Sequence, residues 1–147
     1  PNPKEILNKL KTYLKPNGKM VIHEYYYWTS HRTQPEKPNL KKAIGAALQS
    51  FKESDSEIDV GKHLHQWLDE LGMEITSARL MPKLITPNSK DWKWPRTFYE
   101  SYFPRLTRMG YLTQQDVTNA FQDLEDLEQL NYATLWAPLM IEVIAEK

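Results

Sequence analysis

The chain has 147 residues, of which 40% are apolar and 26% charged, values typical of a soluble globular domain with a core of its own. Nineteen basic side chains balance nineteen acidic ones, and this neutrality argues against a nucleic-acid partner, which would favour a basic surface. The absence of cysteine excludes disulfides and fits a reducing cytoplasm, and no apolar run approaches the roughly 20 residues that cross a bilayer, so we expect a cytoplasmic protein without a membrane partner.

The first predicted elements are a helix, a turn and a strand within residues 1–25. Asn2 followed by Pro3 is typical of a helix start, and one face of this helix carries Ile6, Leu7, Leu10, Tyr13 and Leu14. The Pro16-Asn17-Gly18 run ends the helix and turns the chain. The apolar segment 19–25, KMVIHEY, then predicts a buried strand, so this region forms the second half of a βαβ unit.

Two further segments are predicted to follow. Residues 26–58 form an inserted loop and a helix, with a polar break at 54–57, and the apolar face of the helix carries Leu40, Ala43, Ile44, Ala47, Leu48 and Phe51. Residues 59–85 form a helix that ends at Gly72 and a strand over 74–85, which Pro82 bends or places at a sheet edge.

The remainder of the chain is predicted to be two helices and a strand, within one domain. Residues 86–132 contain an aromatic-rich helix over 92–109 and a second helix capped by Thr113. The polar side of that second helix predicts a solvated face formed by Asp123, Glu125, Asp126 and Glu128. In the last segment, 133–147, apolar residues at period two predict a strand over 139–146.

The segment 3–25, PKEILNKLKTYLKPNGKMVIHEY, resembles the region around the fifth strand of class I S-adenosylmethionine-dependent methyltransferases. In that family a helix leads through a Leu-Lys-Pro-Gly-Gly turn into an apolar strand, and here the turn reads Leu14-Lys15-Pro16-Asn17-Gly18. Asn replaces the first Gly of the family's turn, and Asn also tolerates positive φ. Residues 59–72 resemble the family's next helix, 73–80 its sixth strand and 139–147 its last strand.

The resemblance implies an α/β fold: the C-terminal half of a Rossmann-like methyltransferase. This half has the last three strands of the sheet, the final one antiparallel, and inserted helices that form a substrate-side cover. It implies a parent protein that transfers a methyl group from S-adenosylmethionine to a small-molecule acceptor, with this chain on the acceptor side.

The cofactor loop of the family is missing from this sequence. Its five glycines form no G-x-G pair, and that loop needs glycine because the backbone must approach the cofactor closely. We therefore assign no cofactor-binding residue to the chain, and we expect a fragment that neither binds S-adenosylmethionine nor catalyses transfer by itself.

The run from His23 to Trp28 lies at the carboxyl end of the first predicted strand, where ligands bind in open α/β sheets. Methyl transfer needs alignment of its partners, and it needs a base only if the acceptor loses a proton, so His23 and Glu24 are catalytic candidates. Aromatic faces favour a cationic methyl donor, which makes substrate-binding candidates of Tyr25, Tyr26, Tyr27 and Trp28. Packing of the aromatic run and a structural role for His23 stay open, because adjacent strand residues face opposite sides.

Other substrate-binding candidates lie in the inserted segments. The aromatic helix carries Trp94, Phe98 and Tyr102 at a spacing of four residues. These residues form either a lid over the substrate or a packing surface for the next helix. Arg32, in the predicted loop, either pairs with a substrate anion or stays exposed without a role. His63 and His65 diverge at a spacing of two on a helix, so no metal site is expected.

Two functions follow from these expectations. The first is the acceptor half of a methyltransferase, and the alternative is a non-catalytic interaction or dimerisation module derived from that fold. A half-sheet leaves the first strand with an unpaired edge, and such an edge favours pairing with another chain. Besides a small-molecule substrate, the expected partner is therefore a second copy, in a homodimer through the exposed sheet edge.

Overall fold

A computed structural model describes residues 2–54 and 57–147. The protein is α/β, with two small antiparallel sheets and several helices, and it divides into two compact units. The sheet unit comprises Pro1–Trp28, Asp59–Pro82 and Leu139–Lys147, and the insert unit comprises Thr29–Ile58 and Lys83–Pro138. The two segments that were predicted as an inserted cover within one domain thus form a compact unit of their own.

The helices are α1 (Pro3–Thr12), α2 (Pro38–Glu53), α3 (Leu64–Glu70), α4 (Lys93–Arg108) and α5 (Gln114–Glu128). The strands are β1 (Lys19–Tyr27), β2 (Arg32–Gln34), β3 (Glu74–Met81), β4 (Leu84–Ile85), β5 (Thr134–Trp136) and β6 (Leu139–Glu146). Every predicted helix is confirmed, as are the strands at 19–25 and 139–146. The predicted break at 54–57 includes Asp55 and Ser56, which lie outside the described residues. Over the described ranges, no helix is both long and apolar enough to cross a membrane.

The sheet of the sheet unit has the strand order β1-β6-β3, so the last strand of the chain lies in the middle. β6 runs antiparallel to both neighbours, which makes β1 and β3 parallel to each other. The carboxyl ends of the two parallel strands therefore lie at one end of the sheet, where Tyr25 and Met81 both pair with Met140. Among the described residues β1 borders this sheet, as the sequence predicted.

Helices α1 and α3 cover one face of that sheet. Leu7 of α1 and Leu68 of α3 are buried against a row of inward-facing strand residues formed by Met20, Ile141, Val143 and Ala145. The Asn2 side chain caps α1 by accepting a hydrogen bond from the Lys4 N–H at 3.1 Å. In the turn that follows, Asn17 has a positive φ of 61°, a conformation that asparagine tolerates better than most residues.

The insert unit packs α2, α4 and α5 with a second sheet of order β2-β5-β4. The predicted loop over 26–37 is wrong, because β1 continues to Tyr27 and Arg32–Gln34 form β2. The predicted strand over 74–85 is also wrong as one element: β3 ends at Met81, and Leu84–Ile85 belong to the second sheet. Pro82 separates them, because proline has no N–H to continue a ladder.

The acidic face of α5 is not simply solvated, contrary to the prediction. Lys37 precedes α2 without capping it, and the buried Asp123 carboxylate instead accepts the backbone N–H groups of Asn39 and Leu40, at 2.8 and 3.0 Å. Glu128 accepts the indole N–H of Trp92 at 2.7 Å, and Asp126 pairs with Lys37 at 2.9 Å. These carboxylates hold α5 to its neighbours, and Glu125 is the exposed member of the predicted set.

We expect Gly61→Ala to destabilise the protein by about 1–3 kcal/mol, because a Cβ there would lie 2.7 Å from the Tyr25 carbonyl oxygen and 2.7 Å from Ile141 Cγ2. Gly45→Ala is the matched control. Nothing lies within 4 Å of its new Cβ inside α2, so the change should stabilise the helix by roughly 0.5–1 kcal/mol. Urea denaturation of both variants measures the difference, and equal effects of the two substitutions would contradict the close approach at Gly61.

Candidate functional site

The aromatic run at the carboxyl end of β1 divides between core and surface. Burial, with a smaller effect of the Glu24 carboxylate, raises the pKa of Tyr25 above its ordinary value. Tyr26 packs against the core of the sheet unit, and Trp28 is buried with its backbone N–H donating to Asp59 Oδ1 at 2.7 Å. Tyr27 is 48% exposed, with the Lys62 ammonium 5.2 Å from its ring centre. The half-buried Tyr26 and the buried Trp28 fit the packing alternative, while Tyr27 presents its ring to solvent.

His23 and Glu24 lie on opposite faces of β1. His23 Nε2 lies 2.6 Å from one oxygen of Glu142, whose other oxygen accepts a hydrogen bond from Arg79 Nε at 2.6 Å. The hydrogen bonds from Arg79 and then His23 lower the pKa of Glu142 to about 2. Both residues line the groove between α1 and β1, although their side chains alternate between the two faces of the strand. The ion pair of His23 with Glu142 fits its structural alternative, and a catalytic role of either residue stays a prediction.

The aromatic residues of α4 form two rows with different burial. The fully buried row carries Tyr99, Phe103 and Leu106. In the second row, Trp94 is exposed, and the Phe98 and Tyr102 rings stack with centroids 5.3 Å apart. Tyr102 also stacks on Phe51 of α2 at 5.1 Å. The first row is core, whereas the half-exposed second row retains the surface that a lid would need, and its role over a substrate stays a prediction.

A buried histidine and a buried tyrosine join three elements of the insert unit. His31 Nδ1 donates to the Trp136 carbonyl oxygen at 2.8 Å, and its Nε2 accepts the hydroxyl proton of Tyr99 at 2.6 Å. Burial lowers the pKa of His31 to about 4, although the hydrogen bond to the Trp136 carbonyl acts in the opposite direction. Burial also raises the pKa of Tyr99. The pair is therefore neutral near pH 7, with the imidazole proton on Nδ1.

Beside His31 lies a cavity of about 260 Å³, between β2 with its preceding turn and the first turns of α2. Polar residues contribute most of its lining, but they expose more apolar than polar surface to it; the lining consists of Thr29, His31, Arg32, Thr33, Glu36, Lys41 and Ile44. Lys41 Nζ pairs with Glu36 Oε2 at 2.8 Å, so these two charges balance. Arg32 supplies the remaining positive charge.

Arg32 and Thr33 are adjacent residues of β2 whose side chains lie on opposite faces, because Arg32 is exposed and Thr33 is buried. The Arg32 guanidinium lies 5.6 Å from the centre of the exposed Trp136 ring, which does not line the cavity. The two side chains therefore do not converge on one ligand, and the exposure of Arg32 fits its alternative as a surface arginine.

Of the residues that line this cavity, the sequence analysis named Arg32, whose anion-binding role stays a prediction, and missed His31. The missed signal is the alternation over residues 31–34, in which His31 and Thr33 are buried while Arg32 and Gln34 are exposed. That period-two pattern is typical of a strand, and it places His31 and Thr33 on one face and Arg32 on the other.

No protein-family model matches the chain, and no curated protein is significantly similar to it. Among the described residues, no three His, Asp or Glu side chains form a group that could hold a metal ion. The function is therefore inferred from the residues and their geometry.

We expect the stability of the protein to fall as the pH is lowered from 6.5 to 4. The folded-state pKa of His31 lies below its unfolded value, so the unfolded state binds more protons in this window, and the expected loss is on the order of 3 kcal/mol. Urea denaturation across this pH range should show a weaker pH dependence for His31→Gln, which cannot titrate. Ring-proton chemical shifts should report a pKa near 4 for His31, and identical pH dependence in both proteins would contradict its burial as a neutral group.

Proposed function

We propose that the chain is the acceptor-side half of an S-adenosylmethionine-dependent methyltransferase that acts on a small molecule. The observation that carries this proposal is the strand order β1-β6-β3. The last strand of the chain lies between two parallel strands and runs antiparallel to both. An antiparallel final strand is the arrangement that the resemblance of residues 3–25 and 139–147 implies.

The chain connections support an acceptor role for the insert unit. The chain leaves the sheet unit after Trp28 and again after Pro82, each time just beyond the carboxyl end of a parallel strand. In open α/β sheets ligands bind outside these ends, and the loops that follow them supply the contacts. The inserted segments, which carry Arg32 and the half-exposed aromatic row of α4, are therefore suited to hold an acceptor.

The free border of β1 supports a cofactor-binding half beyond it. A groove of about 300 Å³ runs between α1 and β1, and the apolar side chains of Ile6, Leu10 and Val21 are each 46–59% exposed. A strand that precedes α1 would form a βαβ unit with β1. The two strands of such a unit are parallel and are usually neighbours in the sheet, so this strand would lie at the border of β1. Such strands would carry the glycine-rich loop that this sequence lacks.

Methyl transfer requires mainly that the acceptor half hold the acceptor in position. S-adenosylmethionine would supply the methyl group from the cofactor-binding half, and this chain would hold the acceptor in line with it. The enzyme aligns the two partners and excludes water, and a base is needed only where the acceptor atom loses a proton.

Calorimetric titration with S-adenosylhomocysteine tests this proposal. We expect no binding to the 147-residue chain, because it has no glycine-rich loop, and we expect binding by a polypeptide extended upstream of Pro1. Tight binding by the short chain would contradict the assignment of the cofactor site to another part of the protein. If the sequence encoded upstream of Pro1 contains no strand followed by a glycine-rich loop, the proposal that the parent protein is a methyltransferase is contradicted.

The second candidate function, a dimerisation module, is favoured by the same border of β1. This strand is nine residues long, contains no proline, and carries the 59% exposed apolar side chain of Val21. Two copies could pair through β1 and bury the exposed apolar residues of both.

We expect size-exclusion chromatography with light scattering to give a mass above the 17.3 kDa of one chain. Val21→Lys should restore the monomer, because an edge lysine opposes strand pairing. Ser77→Lys is the matched control, since Ser77 lies in the same cross-strand row, opposite Ile144 on the other border. A monomeric parent chain, or equal effects of the two lysines, would contradict dimerisation through β1.

A further inference from the structure

We propose that the outer face of the second sheet binds a proline-rich segment of another protein, and that this segment carries a carboxylate three residues away from an apolar side chain. The residues that carry the proposal are Arg32 of β2, Trp136 of β5 and Leu84 of β4. The strand register places them directly opposite one another, in one cross-strand row. The proposal goes beyond methyl transfer and does not depend on it.

This row is exposed on a backbone that is anchored from the other side. Trp136 is 43% and Leu84 56% exposed, and Arg32 is exposed as well. The neighbouring row faces inward and is buried, and it consists of Thr33, Leu135 and Ile85. Because the buried row fixes the strands, the exposed row is presented in a defined position, which lowers the entropy that a partner loses on binding. Tryptophan and arginine are also the residue types that contribute most to protein interfaces.

Trp136 offers an aromatic surface and a hydrogen-bond donor. The Arg32 guanidinium lies 5.6 Å from the centre of the indole ring and restrains both side chains. The Trp136 carbonyl oxygen accepts from His31, whereas its indole N–H has no acceptor within residues 2–54 and 57–147. A polyproline II segment has apolar rings and backbone carbonyls without internal hydrogen bonds, so it can pack on the indole and accept its N–H.

The length of the row matches the repeat of that conformation. Neighbouring strands are about 4.8 Å apart, so the ends of the row, Arg32 and Leu84, are separated by roughly 10 Å. A polyproline II helix rises about 3.1 Å per residue with three residues per turn, so positions i and i+3 share one side at roughly 9 Å. One such segment can therefore place a carboxylate at Arg32 and an apolar side chain at Leu84 while its middle covers Trp136.

The charge of the face selects an acidic partner. The strands β2, β4 and β5 carry one charged residue, Arg32, and it has no carboxylate partner within the described ranges. Two copies of the chain joined through this face would bring two guanidinium groups together without a carboxylate, which disfavours a second copy. A carboxylate on another protein would instead gain charge-assisted hydrogen bonds. Small-molecule sites are usually concave, so the shallow outer face of a sheet is better suited to a peptide.

Titration of the ¹⁵N-labelled chain with the peptide acetyl-Glu-Pro-Pro-Leu-amide, followed by NMR, tests the proposal. We expect saturable shifts of the Trp136 indole N–H and of the Arg32 and Leu84 amides, with a Kd on the order of 1 mM because the contact area is small. The matched peptide acetyl-Gln-Pro-Pro-Leu-amide should bind about two- to fivefold more weakly, since it lacks the charge. Acetyl-Glu-Ala-Ala-Leu-amide should bind at least about threefold more weakly, because alanine does not hold the polyproline II conformation.

Two variants of the row and two controls locate the site. Trp136→Ala should weaken binding at least about tenfold, and Arg32→Gln should remove the preference for the Glu peptide over the Gln peptide. The controls are Tyr13→Ala, a 73% exposed aromatic residue of the sheet unit, and Arg108→Gln, an exposed arginine at the end of α4. Both should leave peptide binding unchanged, and urea denaturation shows whether each variant is folded.

Four results would overturn the proposal. They are no saturable shift of the Trp136 indole N–H, equal affinities of the three peptides, unchanged binding by folded Trp136→Ala, and shifts of the row that depend on protein concentration without peptide. The last result would assign the face to a second copy. Because these titrations need no cofactor, their failure is distinguishable from failure of S-adenosylhomocysteine binding in the extended polypeptide.

Discussion

The pairing of β6 with both β1 and β3 is the interaction on which the sheet unit depends. Among the described residues, β1 and β3 have no other strand partner in their sheet, so without β6 neither would belong to a ladder. The inward-facing side chains of β6, Ile141, Val143 and Ala145, are almost completely buried against α1 and α3. The last strand of the chain thus holds together β1 and β3, and the two parts of the insert unit separate these three strands from one another in the sequence. The entropy of closing such long loops grows only slowly with their length, which makes this architecture tolerant of large insertions.

This dependence explains which elements local patterns could predict. The helices are set by residues close in sequence: Asn2 caps α1, Thr113 and Asp116 form a reciprocal capping box on α5, and Gly72 follows α3 with φ 64°. β6 has an alternating pattern long enough to identify. In contrast, β2 and β5 are three residues each and exist because they pair with one another across about 100 residues. A short strand has little local signal, so this second sheet could not be inferred from the chain in order.

The candidate site likewise has some features that could be predicted from local sequence and others that depend on contacts between distant segments. Arg32 could be named as a candidate from its chemistry alone, and its role stays a prediction. The meeting of Thr33 and Lys41 at one cavity could not be predicted, because it depends on the position of β2 beside the first turns of α2. That position is set in turn by Asp123, a residue of α5 that caps α2 from a distance of 84 positions in the chain. Polar patterns on one helix could not reveal a cap that belongs to another.

A strongly shifted pKa can belong to a catalytic residue or to a buried structural residue, and His31 of the insert unit is an example of the second. His31 has a pKa moved to about 4 and lies at a cavity, features that often mark a catalytic residue. Its geometry argues against that role, because the carbonyl of Trp136 and the hydroxyl of Tyr99 engage its ring nitrogens inside the unit. A general base needs a lone pair directed at the substrate, and this imidazole directs its lone pair at Tyr99.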